Sequence, residues 1–158
     1  MIVLPITLTI AAATALINIW IASRVGTLRR RLKVAIGDGA DPLLTARMRA
    51  HANFSEYVPL FLILLGLVEL AEDSQPWLWG AGVLFIAGRI LHVFGMDRQT
   101  VNALRTAGIG LTLLCTVGLA IYAVAIPYLH RARMNAIHYA VEPIPNTLSP
   151  TNGLVSRS

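Results

Sequence analysis

The stretch TAGIGLTLLCTVGLAIYAVAIPYLH, Thr106 to His130, runs for 25 residues without a formal charge. A helix needs about 20 largely apolar residues to cross the hydrocarbon of a bilayer, so this run reads as a transmembrane span. Three other stretches share its character. Ile2 to Ser23 carries no charge before Arg24. Arg49 to Ala71 is uncharged from Tyr57 to Val68, with Glu56 and Glu69 toward its two ends. Pro76 to Met96 carries Arg89 and His92. The expected fold is an all-α integral membrane protein, a bundle of four transmembrane helices over about 2–23, 49–71, 76–96 and 106–130. A cleavable signal peptide would carry basic residues before its apolar segment. The first span carries them after it, so it reads as a retained helix.

The composition points the same way. Of 158 residues 56% are hydrophobic and 13% charged, with a mean hydropathy of +0.66. A soluble domain is about 25% charged, and this chain has too few charges to cover a soluble surface. The net charge of +5 does not point to nucleic acid. Seven of the 13 basic residues fall between the first two spans: Arg24, Arg29, Arg30, Arg31, Lys33, Arg47 and Arg49. Such clusters set membrane orientation and meet anionic headgroups. The connection from 24 to 49 is therefore expected to be cytoplasmic, as in a bacterial inner membrane. Both termini and the acidic connection Glu72-Asp73-Ser74-Gln75 then lie on the outer side. Arg131 and Arg133 weakly oppose that orientation.

Prolines and glycines punctuate the chain. Gly37-Asp38-Gly39-Ala40-Asp41-Pro42 is a turn within the first connection. Pro76 and Pro127 suit helix ends, whereas Pro59 bends span two or sits in its first turns. Trp77, Trp79 and Tyr128 stand where an interfacial aromatic belt is expected. Residues 1–130 then form the membrane domain. The stretch 131–158, with Pro143, Pro145 and Pro150, reads as a mobile C-terminal tail. Cys115 has no disulfide partner in the chain and reads as a packing residue.

Ionisable groups inside spans cost free energy and mark either functional sites or paired structural groups. Arg49, Asn53 and Glu56 fall at i, i+4 and i+7, on one helix face. They offer a cation, an amide and an anion, and the structural reading is a clasp in which an arginine neutralises Glu56. Arg89 and His92, at i and i+3, also share a face. Arg89 is expected to meet Glu56, Glu69 or a ligand carboxylate. Arg105 opens span four, where it either snorkels to headgroups or lines a pocket between helices. No histidine and cysteine spacing suits a metal, no glycine loop suits a phosphate cradle, and the glycines at 82, 88, 108, 110 and 118 suit close helix packing. The residues alone support a four-helix membrane protein. Its cationic pocket at the cytoplasmic span ends suits a small polyanion beside an apolar partner.

The run Arg49-Ala50-His51-Ala52-Asn53-Phe54-Ser55-Glu56-Tyr57-Val58-Pro59 resembles the signature of the MAPEG family, the membrane-associated proteins in eicosanoid and glutathione metabolism. Gly88-Arg89-Ile90-Leu91-His92 resembles that family's second motif. The likeness covers about residues 1–130 and is to the bacterial-type subgroup. It implies a homotrimer with glutathione bound as co-substrate between protomers, and a microsomal-type glutathione transferase or peroxidase acting on a lipophilic small molecule. By position, Arg49, Asn53, Glu56, Arg89 and His92 would bind or organise glutathione. Arg105 would lie near the thiol, and Thr106 stands where a serine hydroxyl assists in some members. Three positions depart from the pattern: Ala52 replaces an arginine, and Met96 and Ile109 stand where glutathione-using relatives often have tyrosines. The alternative is therefore a trimeric membrane binding or scaffold protein that keeps the fold without the chemistry.

Overall fold

A computed structural model of the protein describes residues 3–141. They form four helices: α1 (Pro5–Leu32), α2 (Pro42–Glu72), α3 (Pro76–Asp97) and α4 (Ala103–Val141). All four are long and apolar enough to cross a membrane. The chain divides into two compact units, Met1–Ile126 and Pro127–Ser158. The described part of the second is the end of α4, from Pro127 to Val141.

Three helices begin with proline in the first turn. Proline suits that position because its missing N–H would have no helical partner there. At α2 the Asp41 carboxylate completes the start by accepting from the Leu44 N–H at 2.7 Å. At the other end of α1, Lys33 turns left-handed, and the Val34 N–H donates to the Arg29 carbonyl at 3.0 Å. This Schellman-type closure satisfies carbonyls that the helix leaves open.

The connection between α1 and α2 is much shorter than the sequence suggests. It is only residues 33–41, because α1 continues past Ser23 and α2 begins before Arg49. At about 1.5 Å per residue these helices are about 42 and 46 Å long, against a hydrocarbon core of about 30 Å. The extra turns carry Arg29, Arg30, Arg31, Arg47 and Arg49 on helical backbone. Polarity marks where the spans leave the hydrocarbon, not where the helices end, because a helix that leaves the hydrocarbon has no reason to unwind. Pro127 likewise lies inside α4 rather than at its end, and Pro59 lies inside α2. Each removes one helical donor. Residues 131–141 of the expected tail are helical, and 142–158 lie outside the described residues.

Consecutive helices run in alternating directions. The start of α1 meets the last turn of α2, where Glu69, 1% exposed, accepts from the Ile6 N–H at 3.0 Å and the Thr7 N–H at 2.8 Å. The Ser74 hydroxyl donates to the same carboxylate at 2.7 Å. Glu69 thus caps α1 from a neighbouring helix, with its charge at the positive end of the helix dipole. At the opposite end of the bundle Asp97 forms ion pairs with both Arg24 and Arg47.

The core between these ends is apolar and aromatic. Phe61 of α2 stacks on Phe85 of α3 with ring centroids 3.8 Å apart, surrounded by Ile6, Ile10, Leu65, Val68 and Leu78. Cys115 is buried and joins this core. Most other large side chains on the helices point outward, among them Leu16, Leu60, Ile63 and Ile121. In a bilayer that surface faces lipid or a neighbouring chain rather than water. Trp77 and Trp79 are half-exposed at the start of α3, and Trp77 packs edge-on against Tyr122.

Helix α3 meets α4 through glycines. A Cβ on Gly108 would lie 2.5 Å from the His92 nitrogen, and one on Gly88 would lie 3.1 Å from the Gly108 carbonyl oxygen. Gly82 accommodates Ile10. Gly110 and Gly118, expected among the packing glycines, have nothing within 4 Å of such a Cβ.

Two predictions follow from these ends. Replacing Glu69 by Ala strands the buried Ile6 N–H and the part-buried Thr7 N–H and costs about 1–3 kcal/mol, read as a lower unfolding temperature in detergent. In the 33–41 connection, the backbone N–H of Ala40, and then the Thr45 hydroxyl, hold the Asp38 carboxyl below the usual carboxylate range. A lowered folded pKa gives stability that is present above the ordinary value and lost as pH falls through the lowered one. Amide exchange in 33–41 should therefore be slower in the native protein than in Asp38→Ala at neutral pH, and the difference should vanish in acid.

Candidate functional site

The site is built around one buried cation. Arg89, on α3, is 0% exposed. A guanidinium in that position needs donors satisfied and charge offset. Its Nη2 donates to the Asn53 Oδ1 at 2.8 Å and its Nη1 to the Thr112 hydroxyl at 3.3 Å. The rings of Phe54 and Tyr57 lie 5.6 and 5.7 Å from its central carbon, within cation–π range. Of the three partners expected, neither Glu56 nor Glu69 forms an ion pair with it, although the Glu56 carboxylate is near enough to favour its charge. Glu69 is committed to the start of α1. Glu56 is exposed on the outer surface of α2, and among the described residues no arginine forms an ion pair with it. An amide and a hydroxyl therefore replace the expected carboxylate. The Arg89 Nε has no hydrogen-bond partner.

This arrangement fixes Asn53. With its Oδ1 turned to Arg89, the amide presents its two N–H donors to other partners. Asn53 lines a cavity of about 370 Å³ together with Arg49, His92, Met96, Val101, Arg105, Thr106 and Ile109. Five of the seven residues singled out in the sequence thus line one space: Arg49, Asn53, His92, Arg105 and Thr106. Arg89 stands behind it through Asn53, and Glu56 is outside it. Met96 and Ile109, two of the three departures from the family pattern, form its apolar wall.

The cavity is rich in open donors. Among the described residues neither the Arg49 nor the Arg105 guanidinium makes a hydrogen bond or ion pair. The Nδ1 of His92, a residue 5% exposed, has no partner either. A second cavity of about 490 Å³ adjoins the first and shares Arg49, Met96 and Arg105 with it. The connection residues Asp38 and Ala40 and the α2 residue Thr45 line its other side. Two guanidinium groups therefore stand between two connected spaces. That arrangement suits a ligand with more than one anionic group.

Two residues that the sequence reading passed over position Arg105. Asn102 precedes α4 and accepts from the Arg105 N–H at 3.1 Å, as an N-cap does. Its own amide donates to the Gly95 carbonyl at 2.8 Å, tying the start of α4 to the end of α3. Gly95 permits this approach, because a Cβ there would lie 2.4 Å from the Arg105 nitrogen. An asparagine three residues before Arg105 was a visible capping signal. The need for glycine at 95 was not visible, since it depends on α4.

A four-helix integral membrane protein with a cation-lined cavity between α2, α3 and α4 is the class that the fold and site define. The model of the MAPEG family matches residues 7–125, and the chain belongs to that family, as a member of the bacterial type. It is similar to the inner membrane protein YecN of Escherichia coli strain K12, at 30% identity over 90 residues. That match covers 56% of this chain and 68% of YecN. The YecN of Escherichia coli O6:H1 matches to the same extent.

Gly95→Ala should test the positioning of Arg105. Forcing a methyl into backbone contact costs about 1–3 kcal/mol and displaces the first turn of α4. The expected result is a lower unfolding temperature together with weakened anion binding in the cavity. Gly110→Ala, with open space around it, should change neither.

Proposed function

We propose that the protein is a membrane-bound enzyme of the microsomal glutathione transferase or peroxidase type. The observation that carries this reading is the convergence of Arg49, Asn53, His92, Arg105 and Thr106 on one cavity. Glutathione is a fitting co-substrate because it carries two carboxylates, and the two open guanidinium groups and the Asn53 amide donors suit them. When bound it would supply the nucleophilic thiol, so no protein nucleophile is needed. Arg49 and Asn53 would hold carboxylate groups, and Arg89 would act on them by fixing the Asn53 amide. His92 would line the cavity beside them. Arg105, with Thr106 beside it, would stabilise negative charge on sulfur and so lower the thiol pKa. A shift of one to two units corresponds to about 1.4–2.7 kcal/mol. The second substrate would be a lipophilic electrophile or hydroperoxide partitioned into the bilayer.

The proposed working form is a homotrimer. Its support is the exposure of Arg49 and Glu56 on the outer surface of α2, where a lone carboxylate against lipid would be costly. A neighbouring protomer would cover that surface and close the cavity. The basic helix ends, with Arg29 to Arg31, Arg47 and Arg49, support a cytoplasmic site by the positive-inside rule.

A second reading is a trimeric membrane binding or scaffold protein without chemistry. Met96 and Ile109 favour it, because they give the cavity an apolar wall where phenols would add hydrogen bonds. The two readings separate in one titration. Adding glutathione to detergent-solubilised protein at neutral pH should raise thiolate absorbance. Arg105→Ala should abolish that rise and reduce turnover of a nitroaromatic electrophile by about tenfold or more, as the loss of about 1.4 kcal/mol or more requires, with the trimer retained. Binding without thiolate formation, or turnover unchanged by Arg105→Ala, would overturn the first reading, and the former would favour the second.

A further inference from the structure

A separate feature lies on the outer side of α1 and α3. Leu16, Ile17 and Trp20 of α1 and Ile90 and Phe94 of α3 line an apolar groove of about 380 Å³. None of these side chains contributes to the cation-lined cavity. The indole of Trp20 and the ring of Phe94 meet at 5.8 Å between centroids at the upper end of the groove. Directly beyond them stands Arg24, whose guanidinium carbon lies 5.0 Å from the Trp20 centroid and 5.7 Å from that of Phe94. From Leu16 to Arg24 the groove runs about 12 Å along α1. It thus leads from the apolar middle of a span to its charged end.

The charges at that end do not balance locally. Arg24 and Arg47 both pair with the single carboxylate of Asp97, and Arg47 also donates to the Arg24 carbonyl. Two cations on one anion leave one positive charge. Each guanidinium carries five donors in a fixed fork, more than the shared carboxylate can accept. The pair is only partly shielded, with Arg24 16% and Arg47 23% exposed. An apolar channel, an aromatic collar and a charge cluster with one excess cation among the described ion pairs follow one another along α1.

We infer that this groove is a binding site for an anionic phospholipid, with an acyl chain against Leu16 and Ile90 and the phosphodiester at Arg24 and Arg47. A phosphodiester whose negative charge is not offset by a headgroup cation matches the single excess cation. The aromatic pair sits at the level where indole rings favour the membrane interface. A basic site between transmembrane helices is a known mode of headgroup recognition. Free phosphate would match the charge but leave the groove unused, and a zwitterionic lipid would fill the groove but leave the charge uncompensated. The site is independent of the proposed glutathione chemistry.

The test uses full-length protein, delipidated in detergent, with native mass spectrometry and thermal unfolding as readouts. Phosphatidylglycerol should bind about fivefold more tightly than phosphatidylcholine, the equivalent of about 1 kcal/mol for one headgroup charge, and should raise the unfolding temperature. Inorganic phosphate alone should not raise it. Arg24→Gln should remove the preference for phosphatidylglycerol, but it also breaks the Asp97 pair. Leu16→Trp therefore serves as the second variant. Leu16 is 69% exposed, so the fold tolerates the larger ring, which fills the groove. This variant should lose phosphatidylglycerol binding while keeping its unfolding temperature and oligomeric state. The proposal is overturned by equal binding of the two lipids, by an equal effect of inorganic phosphate, or by undiminished binding to Leu16→Trp. A change of oligomeric state in Leu16→Trp would also overturn it, since the groove would then be an interface between copies.

Discussion

A guanidinium buried in a membrane bundle has no water to fall back on, and Arg89 shapes what surrounds it. Its charge has to be met by oriented dipoles, aromatic faces or a counterion. Asn53 and Thr112 supply the dipoles, and Phe54 and Tyr57 the faces. Those contacts draw α2 and α4 onto α3 at one level of the bundle. They also set the orientation of the Asn53 amide, and with it the donor character of the cavity. No carboxylate is hydrogen-bonded to Arg89 among the described residues, and Arg49 and Arg105 line the neighbouring cavity.

The two ends of the helices solve opposite problems. At one end the first N–H groups of α1 need an acceptor in a setting poor in water, and Glu69 provides it from α2. At the other end the basic turns leave the hydrocarbon, and Asp97 gathers Arg24 and Arg47. The acid in each case belongs to a helix other than the one it serves. Charge in this protein therefore fastens helices to each other. The glycines at 88, 95 and 108 let α3 and α4 approach at backbone distance. This closeness places Arg105 and His92 on one cavity.

Much of the site was legible because its residues follow helical spacing. Arg49 and Asn53 share a face of α2, and His92 lies one turn from Arg89 on α3. These relations depend only on the helix period. The protein partners of Arg89 were not legible, because charge was matched to charge. A side-chain amide and a hydroxyl can satisfy a buried guanidinium just as well geometrically, and sequence gives no distance between Glu56 and Arg89. Helix ends were misplaced for a related reason. Arg29 to Arg31 look like a loop in a hydropathy profile, yet backbone hydrogen bonds hold them in α1 beyond the apolar span.

What the sequence by itself determined is the class of protein and the number of spans. Four runs of about 20 apolar residues and only 13% charged residues admit no soluble core, and a lone chain in hydrocarbon must satisfy its backbone within each helix. The chain's own motifs also determined its family. What only the tertiary structure decided is which of the few polar groups meet. Glu69 turns to α1 rather than to Arg89, Asn53 turns to Arg89, and Asn102 and Gly95 seat Arg105. Those pairings join residues up to 63 positions apart in the chain, and apart from the Asn102 cap they are set by glycine contacts and helix direction, which no local pattern encodes.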